Sequence, residues 1–200
     1  MEKTDTNGLN EYQHLCMRTS PDGHDRKLNG CMGLIGESGE IVDVVKKYWF
    51  QSGDDAEVPK DHLIEEAGDV MWYVSECMEG IGKKAGEEYE NDMETHPEEH
   101  KKIRKMVDND ILISACQISS MCHRPFMWLL DSSCDLTDAP CSIREAECAR
   151  ELCNIITALS EFLKAYCGST LMEATRRNIE KLKKRYPDGF DPERSLHREE

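Results

Sequence analysis

Two pairs of acidic residues with the same spacing are the part of this sequence best suited to chemistry. Glu37 and Glu40 form one pair, and Glu66 and Asp69 form the other after a spacer of about 25 residues. On a helix, residues three apart share a face, so each pair would present its carboxylates together. Two such helices packed face to face would gather four carboxylates, whose repulsion a cation relieves. Oxygen ligands without cysteine or histidine favour Mg²⁺, with Mn²⁺ as a substitute.

The setting of these pairs matters more than their spacing. Forty of the 200 residues are acidic, so chance alone supplies roughly eight pairs of this kind. The two chosen pairs lie within apolar helical patterns and share the form acid-x-Gly-acid, in which glycine lets another backbone or a ligand approach closely. The alternative interpretation is a pair of solvated helix faces, the usual role of clustered charges.

A second constellation is basic and lies near the C-terminus. Asn178, Lys181 and Arg185 follow the helical spacing i, i+3, i+7 and would share one face of a final helix. Such a face could hold phosphate, since arginine binds it bidentately and lysine acts as a point charge. Cations that complement the dipole at a helix C-terminus are the simpler interpretation.

Composition limits the class of protein. A net charge of −15 argues against binding of nucleic acid. No apolar run approaches the length of about 18 residues that a membrane helix needs, and the N-terminus lacks a signal-peptide pattern, so we expect a cytoplasmic protein. The chain has ten cysteines but no C-x-x-C motif, so we interpret those with helical spacing as buried, reduced thiols: Cys31, Cys77, Cys116, Cys148, Cys153 and Cys167.

The elements that must position these residues are helices, because helical periodicity recurs while alternating strand patterns are absent. In the segment that carries the first pair, the predicted core stripe is Leu28, Cys31, Met32, Ile35, Val42, Val45 and Trp49, and the helix should end near Gly53. In the segment that carries the second pair, the stripe is Leu63, Ala67, Val70, Val74, Cys77 and Ile81. The acids flank both stripes, where a metal site between helices belongs.

The remaining segments predict further helices and the connections between them. We interpret 83–102 as a linker or a solvated helix end, and 131–141 as a loop; the predicted helices are 98–123, 142–167 and 170–185. Glu151 and Asn154, with Ser160-Glu161, echo the second acidic pair and its Ser75-Glu76. Either a degenerate copy of the helix pair or coincidence between two amphipathic helices explains this echo.

Three blocks, in order, resemble the MazG-type nucleotide pyrophosphohydrolases of the all-α NTP pyrophosphatase superfamily. The blocks are 33–47 (GLIGESGEIVDVVKK), 65–73 (EEAGDVMWY) and 178–190 (NIEKLKKRYPDGF). The resemblance implies that Glu37, Glu40, Glu66 and Asp69 bind Mg²⁺ and are catalytic. It also implies that Asn178, Lys181 and Arg185 hold a triphosphate or complete the site. In compact members of the group, however, the C-terminal block follows the second acidic pair after a short turn.

The expected reaction is therefore Mg²⁺-dependent hydrolysis of a (d)NTP to a (d)NMP and pyrophosphate. The alternatives are a phosphoribosyl-ATP pyrophosphatase-like hydrolase and a non-catalytic helical binding or regulatory module. A ferritin-like di-iron protein needs two E-x-x-H motifs, whereas this chain has one, at Glu11 to His14, outside the strong core pattern. Glu65 could replace Glu66 as a ligand, because it also lies one turn from Asp69.

Further contacts to the nucleotide are predicted from residues near the acidic pairs. Trp72 and Tyr73 could stack on the base, and Lys47 could reach the mouth of the site, although core packing and a solvated helix face explain these residues as well. We expect a single all-α domain over 1–200, a helical bundle with 83–167 as an insertion or a degenerate second helix pair. The resemblance implies a homodimer or higher homo-oligomer, unless 98–167 covers the exposed apolar face internally.

Overall fold

The protein is entirely helical over the residues described by the structure, a computed structural model. These are residues 5–53, 56–107, 110–129 and 140–193, and they contain no strand. The prediction of an all-α fold is confirmed. None of the described helices is both long and apolar enough to cross a bilayer.

The helices follow one another through short connections. In chain order they are α1 (Thr6–Cys16), α2 (Arg26–Gln51), α3 (Lys60–Gly80), α4 (Ala85–Thr95), α5 (Pro97–Val107), α6 (Ile111–Cys122), α7 (Arg124–Leu129), α8 (Cys141–Phe162) and α9 (Leu171–Arg185). A 3₁₀ turn, Met17–Thr19, follows α1, and a π-helical turn, Leu163–Cys167, extends α8.

Local capping chemistry sets several of these bounds. The Asp25 side chain accepts hydrogen bonds from the first backbone amides of α2, and Asp110 does the same for α6. Thr170 caps α9 by accepting from the amide of Glu173. Gly168 ends the π-helical turn with a φ of +63°, a left-handed conformation that glycine adopts without steric cost. The predicted end of α2 near Gly53 and the predicted last helix, 170–185, lie close to the observed bounds.

Two predictions for the middle of the chain were wrong. The segment 83–102 is not a linker: it contains α4 and the first half of α5, and α4 buries Ala85, Tyr89 and Asp92. The predicted helix 98–123 is two helices, because Asp110 starts a new one at α6. Pro125 follows in the first turn of α7, where proline is tolerated. The predicted loop 131–141 lies largely outside the described residues.

The core stripe predicted for α2 is rotated relative to the observed one. Leu28, Met32 and Trp49 are exposed by 42%, 63% and 51%. The buried face of α2 instead comprises Gly30, Cys31, Leu34, Ser38, Ile41, Val44 and Val45. The reason is that α2 packs mainly against α3 and α6, so its buried face is turned toward the space between these two helices.

Helices α2 and α3 form an antiparallel pair around which the others assemble. Helix α6 packs on α2, where Ser38 Oγ donates to Ser119 Oγ at 3.3 Å, and α8 packs on α3. Helix α1 lies against α3, α4 and α9. One continuous core joins all these elements, with Phe162, Met71 and Leu34 among its fully buried side chains.

The cysteine prediction is confirmed at five positions and wrong at one. Cys31, Cys77, Cys148, Cys153 and Cys167 are free and buried, whereas Cys116 is exposed on α6. The E-x-x-H segment also differs from expectation. It belongs to α1, whose Leu9, Tyr12 and Cys16 are buried in the core.

Candidate metal centre

Two glycines of α2, Gly30 and Gly33, allow α2 and α3 to approach closely beside the acidic pairs. A Cβ atom on Gly33 would lie 2.1 Å from ring atoms of Tyr73, and one on Gly30 would lie 2.4 Å from Cys77 Sγ. Because the helices are antiparallel, the turn of α2 after Gly33 meets the turn of α3 before Tyr73. Those turns carry Glu37 and Asp69.

Three carboxylates meet between the two helices. One ligand oxygen each from Glu37, Glu66 and Asp69 lies within 4.8 Å of the others, and all three side chains are half-buried. Within the described part of the chain, no other group of three or more acidic, histidine or cysteine side chains converges in this way. Three negative charges at this separation repel one another strongly where water is partly excluded. The all-oxygen donor set is the kind that Mg²⁺ and Mn²⁺ prefer, so these residues suit the predicted ion.

The pKa values of two of these acids respond to this environment. Burial raises the pKa of Glu66, and the charge of Asp69 raises it further. Burial also raises the pKa of Asp69, although the neighbouring Lys181 ammonium lowers it. A bound proton or cation therefore stabilises each of these two acids more than it would stabilise an ordinary surface carboxyl.

Glu40 and Glu65 lie outside this group. Glu40 is on α2 but its side chain is exposed, so it stays a predicted ligand that does not join the three converging acids. Glu65, the alternative to Glu66, is exposed and accepts from Lys181 Nζ at 3.2 Å. Glu66, which lies three residues before Asp69, is therefore the acid that converges with Glu37.

Helix α9 brings the predicted basic face to the second acidic pair. Asn178 Nδ2 donates to Asp69 Oδ1 at 2.7 Å, and Lys181 Nζ donates to Asp69 Oδ2. The charge of the half-buried Arg185 acts on the same carboxyl and lowers its pKa. The C-terminal block therefore reaches the acids despite the long intervening segment.

Gly68 makes this approach of α9 possible. A Cβ atom at Gly68 would lie 3.0 Å from the carbonyl oxygen of Ala174 and 3.0 Å from Cβ of Asn178. The corresponding glycine of the first pair, Gly39, has no such neighbour within 4 Å. The expectation of a close backbone approach thus holds for one of the two acid-x-Gly-acid motifs.

Tyr12 is a site neighbour that the sequence pattern did not identify. Its hydroxyl is directed at Asn178 Oδ1 (2.9 Å) and at the carbonyl oxygen of Gly68 (3.1 Å). Burial raises the pKa of the Tyr12 phenol, so it remains a donor at neutral pH. The spacing of Leu9, Tyr12 and Cys16 was the available signal, but α1 has only 11 residues and its apolar stripe is correspondingly short.

The three residues near the acidic pairs that were predicted to contact the nucleotide, Tyr73, Trp72 and Lys47, lie at different distances from the acids. Tyr73 is one turn beyond Asp69 and packs on Gly33, next to the carboxylates. Trp72 donates from its indole nitrogen to Thr19 Oγ1 at 3.0 Å and meets the Tyr73 ring edge-on, with ring centroids 4.8 Å apart. Lys47 is not brought to the group: it lies about 15 Å of helix rise beyond Glu37 and pairs with Asp43 at 2.6 Å.

The echo of the second acidic pair on α8 holds no comparable group. Arg124 Nη1 lies 3.2 Å from Glu151 Oε2, and Asn154 Nδ2 donates to Glu99 Oε1 at 3.0 Å. The side chains of Glu151 and Asn154 thus bind a guanidinium and a carboxylate from neighbouring helices. A single metal centre in the N-terminal half is consistent with this arrangement.

Comparison with known proteins gives the family of the segment that contains these acids. The family model of the MazG nucleotide pyrophosphohydrolase domain matches residues 28–96. The chain carries a MazG domain. The resemblance drawn from the three sequence blocks is confirmed over this segment, and the all-α fold agrees with it.

A similar phage protein matches part of this chain, and the family match leaves some residues of the candidate site outside its boundaries. The chain is 48% identical over 46 residues to the Gene 37 protein of Mycobacterium phage L5, a match that covers 22% of this chain and 40% of that protein. No solved structure matches the chain significantly. The MazG match includes α3, α4 and all but the first two residues of α2. The residues that contact Asp69 from α9, and Tyr12 on α1, lie outside it.

Proposed function

We propose that this protein is a Mg²⁺-dependent nucleoside triphosphate pyrophosphohydrolase that converts a (d)NTP to a (d)NMP and pyrophosphate. The observation that carries the proposal is the convergence of Glu37, Glu66 and Asp69 within the MazG match. A domain of this family supports pyrophosphohydrolase chemistry, and the three carboxylates supply oxygen ligands for the ion that such chemistry uses.

The acids would hold the ion, and α9 would receive the triphosphate. Glu37, Glu66 and Asp69 are the proposed ligands, with Glu40 as a further ligand. When bound, Mg²⁺ would neutralise phosphate charge and lower the pKa of a coordinated water. Water attacks the α-phosphorus, the bond from that phosphorus to the bridging oxygen breaks, pyrophosphate leaves, and the proton of the water passes to a carboxylate or to solvent.

Binding of a triphosphate to so acidic a protein requires positive charge close to the site. With a net charge of −15, the molecule as a whole repels a triphosphate. Lys181 and Arg185 lie beside Asp69, and the last turn of α9 also carries Lys183 and Lys184. This end of α9 contacts Asp69 through Lys181, and we propose that it binds the phosphates.

Pyrophosphate release from a panel of nucleotides tests the proposal. Standard and modified dNTPs and NTPs, together with phosphoribosyl-ATP, are incubated with Mg²⁺ or Mn²⁺, and pyrophosphate is measured. We expect release that stops when the ion is chelated, and a loss of at least about a hundredfold in Glu37→Gln and Asp69→Asn. Glu94→Gln, at an exposed position on α4, is the control and should retain full activity.

The same panel separates the alternatives. Cleavage of phosphoribosyl-ATP alone would identify the related hydrolase. Absence of pyrophosphate from every substrate, combined with an absence of Mg²⁺ binding in calorimetry, would contradict the proposal and favour a non-catalytic module.

A further inference from the structure

The Tyr12 hydroxyl lies directly behind the amide that contacts Asp69. We propose that Tyr12 is a positioning residue for the metal ligand Asp69 and acts through Asn178, an inference that rests on the proposed function of the carboxylate group. Three elements meet here: α1 supplies the phenol, α9 the amide and α3 the carboxylate.

The hydrogen bonds give the Asn178 amide one orientation. Its Oδ1 accepts from the Tyr12 hydroxyl at 2.9 Å, and its Nδ2 donates to Asp69 Oδ1 at 2.7 Å. A flipped amide would turn its oxygen toward the carboxylate and lose that hydrogen bond, and its NH₂ group could only donate to the phenol oxygen while the phenol proton went to the Gly68 carbonyl. The Asp69 carboxylate only accepts, and the Tyr12 hydroxyl supplies a proton to Oδ1, so both partners favour the orientation in which Asn178 is a donor to Asp69.

Burial prevents water from replacing the phenol. Tyr12 and Asn178 are each exposed by only 3%. A buried amide oxygen that loses its donor cannot recover the hydrogen bond from solvent, so the amide would be held only through its NH₂ group.

Asp69 is consequently held at both oxygens. Asn178 binds Oδ1 and Lys181 binds Oδ2, which together fix the plane of the carboxylate relative to Glu37 and Glu66. Partners of this kind behind a ligand typically alter metal affinity by about 10- to 100-fold when removed. Tyr12 is one bond further away, so we expect an effect near the lower end of that range.

Calorimetric titration of the metal-free full chain with Mg²⁺ alone tests this inference. Tyr12→Phe should weaken Mg²⁺ binding about tenfold while the circular dichroism spectrum stays unchanged. Tyr89→Phe is a matched control, because Tyr89 is equally buried and its hydroxyl contacts Thr157 Oγ1 at 3.2 Å, away from the acids. This control should bind Mg²⁺ as the unchanged protein does.

A double variant shows whether Tyr12 acts through Asn178. In an Asn178→Ala background, Tyr12→Phe should produce no further loss of Mg²⁺ affinity, because the intermediate amide is gone. An equal loss in both backgrounds would overturn the proposed route, and so would unchanged affinity in Tyr12→Phe alone.

The side-chain amide signal of Asn178 provides a readout without metal. In the NMR spectrum of protein labelled with ¹⁵N-asparagine, we expect this signal to shift and to exchange faster with solvent in Tyr12→Phe than in Tyr89→Phe. An unmoved signal would overturn the proposal. If the unchanged protein binds no Mg²⁺, both the proposed function and the ligand-positioning role fail, whereas binding that Tyr12→Phe leaves intact defeats the positioning role alone.

Discussion

At the scale of single residues, the candidate site is governed by the cost of bringing carboxylates together. Glu37, Glu66 and Asp69 repel one another, and partial burial removes some of the water that would screen them. Lys181 and Asn178 offset part of this cost at Asp69. Despite its burial, which lowers its pKa, Lys181 has a raised pKa because Asp69 and Glu65 favour its charged form. The chain thus places the charges of Lys181 and Arg185 beside a group of three acids.

The first prediction is that stabilisation by Mg²⁺ depends on pH. Glu66 and Asp69 have raised pKa values in the folded protein, so between the unfolded and the folded pKa the folded state binds more protons. Their contribution to stability therefore falls as the pH rises through that window. Mg²⁺ must displace those protons, so the gain in Tm on adding Mg²⁺ should be small near about pH 4 and increase toward neutrality. Thermal denaturation with Mg²⁺ or with chelator measures this gain.

The double variant Glu37→Gln/Asp69→Asn is the control for this pH series. It should show little gain in Tm from Mg²⁺ at any pH, because two of the converging carboxylates are missing. A gain in the unchanged protein that is the same at all pH values would contradict the prediction.

The second prediction concerns Glu40, which the resemblance implies as a ligand. Glu40→Ala should abolish pyrophosphate release. Because its side chain is exposed, the unfolding free energy should change by no more than about 0.5 kcal/mol. Pyrophosphate assays and chemical denaturation measure the two effects, with Glu94→Ala as an exposed control. Activity retained in Glu40→Ala would remove this residue from the site.

At the scale of elements, the two glycines of the acidic motifs have different surroundings. Gly68 faces α9, whose backbone and Asn178 would contact an added Cβ atom at 3.0 Å. Gly39 faces open space. The acid-x-Gly-acid motif thus permits close packing of α9 at Gly68 on α3, whereas no other described element packs against Gly39 on α2.

The third prediction compares alanine at these two positions. Gly68→Ala should reduce the unfolding free energy by about 1–3 kcal/mol, because α9 must shift, and this shift should also weaken Mg²⁺ binding. Gly39→Ala should instead stabilise the protein by about 0.5–1 kcal/mol through higher helix propensity. Urea denaturation and calorimetry provide the values. Equal effects at both positions would mean that packing of α9 against Gly68 does not matter.

At the scale of the whole molecule, the matched MazG segment depends on helices from both ends of the chain. Helices α1 and α9 cover α3, and α6 covers α2. Lys27 Nζ also contacts Glu145 Oε1 at 2.6 Å, which links the start of α2 to α8. The described helices α4, α6, α7 and α8 of the segment 83–167 therefore pack against the acidic helix pair. Whether this segment is an insertion or a degenerate second pair stays a prediction.

Oligomeric assembly also stays a prediction. Helix α6 already covers part of α2, yet Trp49, Phe50 and Ile113 remain exposed by half or more. Light scattering coupled to gel filtration would distinguish a monomer from the expected homodimer or higher oligomer.

The fourth prediction is that the matched segment does not function alone. Residues 28–96 lack the helices that cover α2 and α3, and they lack the contacts of Asn178 and Lys181 with Asp69. We expect this fragment to be unfolded or to associate, and to bind Mg²⁺ more weakly than the full chain. Circular dichroism, gel filtration and calorimetry test these properties. A folded, monomeric fragment with full Mg²⁺ affinity would show that the remaining helices are dispensable.

The sequence by itself determined the helical class and the positions of α2, α3 and α9. These depend on periodicity, caps and spacing among near neighbours, which the chain carries locally. Charge-rich α4 was missed because its buried residues, Ala85 and Tyr89, are few among many acids. The stripe on α2 was misjudged because its direction depends on having two packing partners.

Only the tertiary structure decided how the site is completed. The contact between Lys181 and Asp69 joins residues 112 positions apart, and the bond from Tyr12 to Asn178 spans 166 positions. No local pattern encodes such pairings, because they follow from the packing of α1 and α9 against α3. Which acids meet, which glycine admits a neighbouring helix and which phenol supports the amide are therefore properties of the assembled bundle.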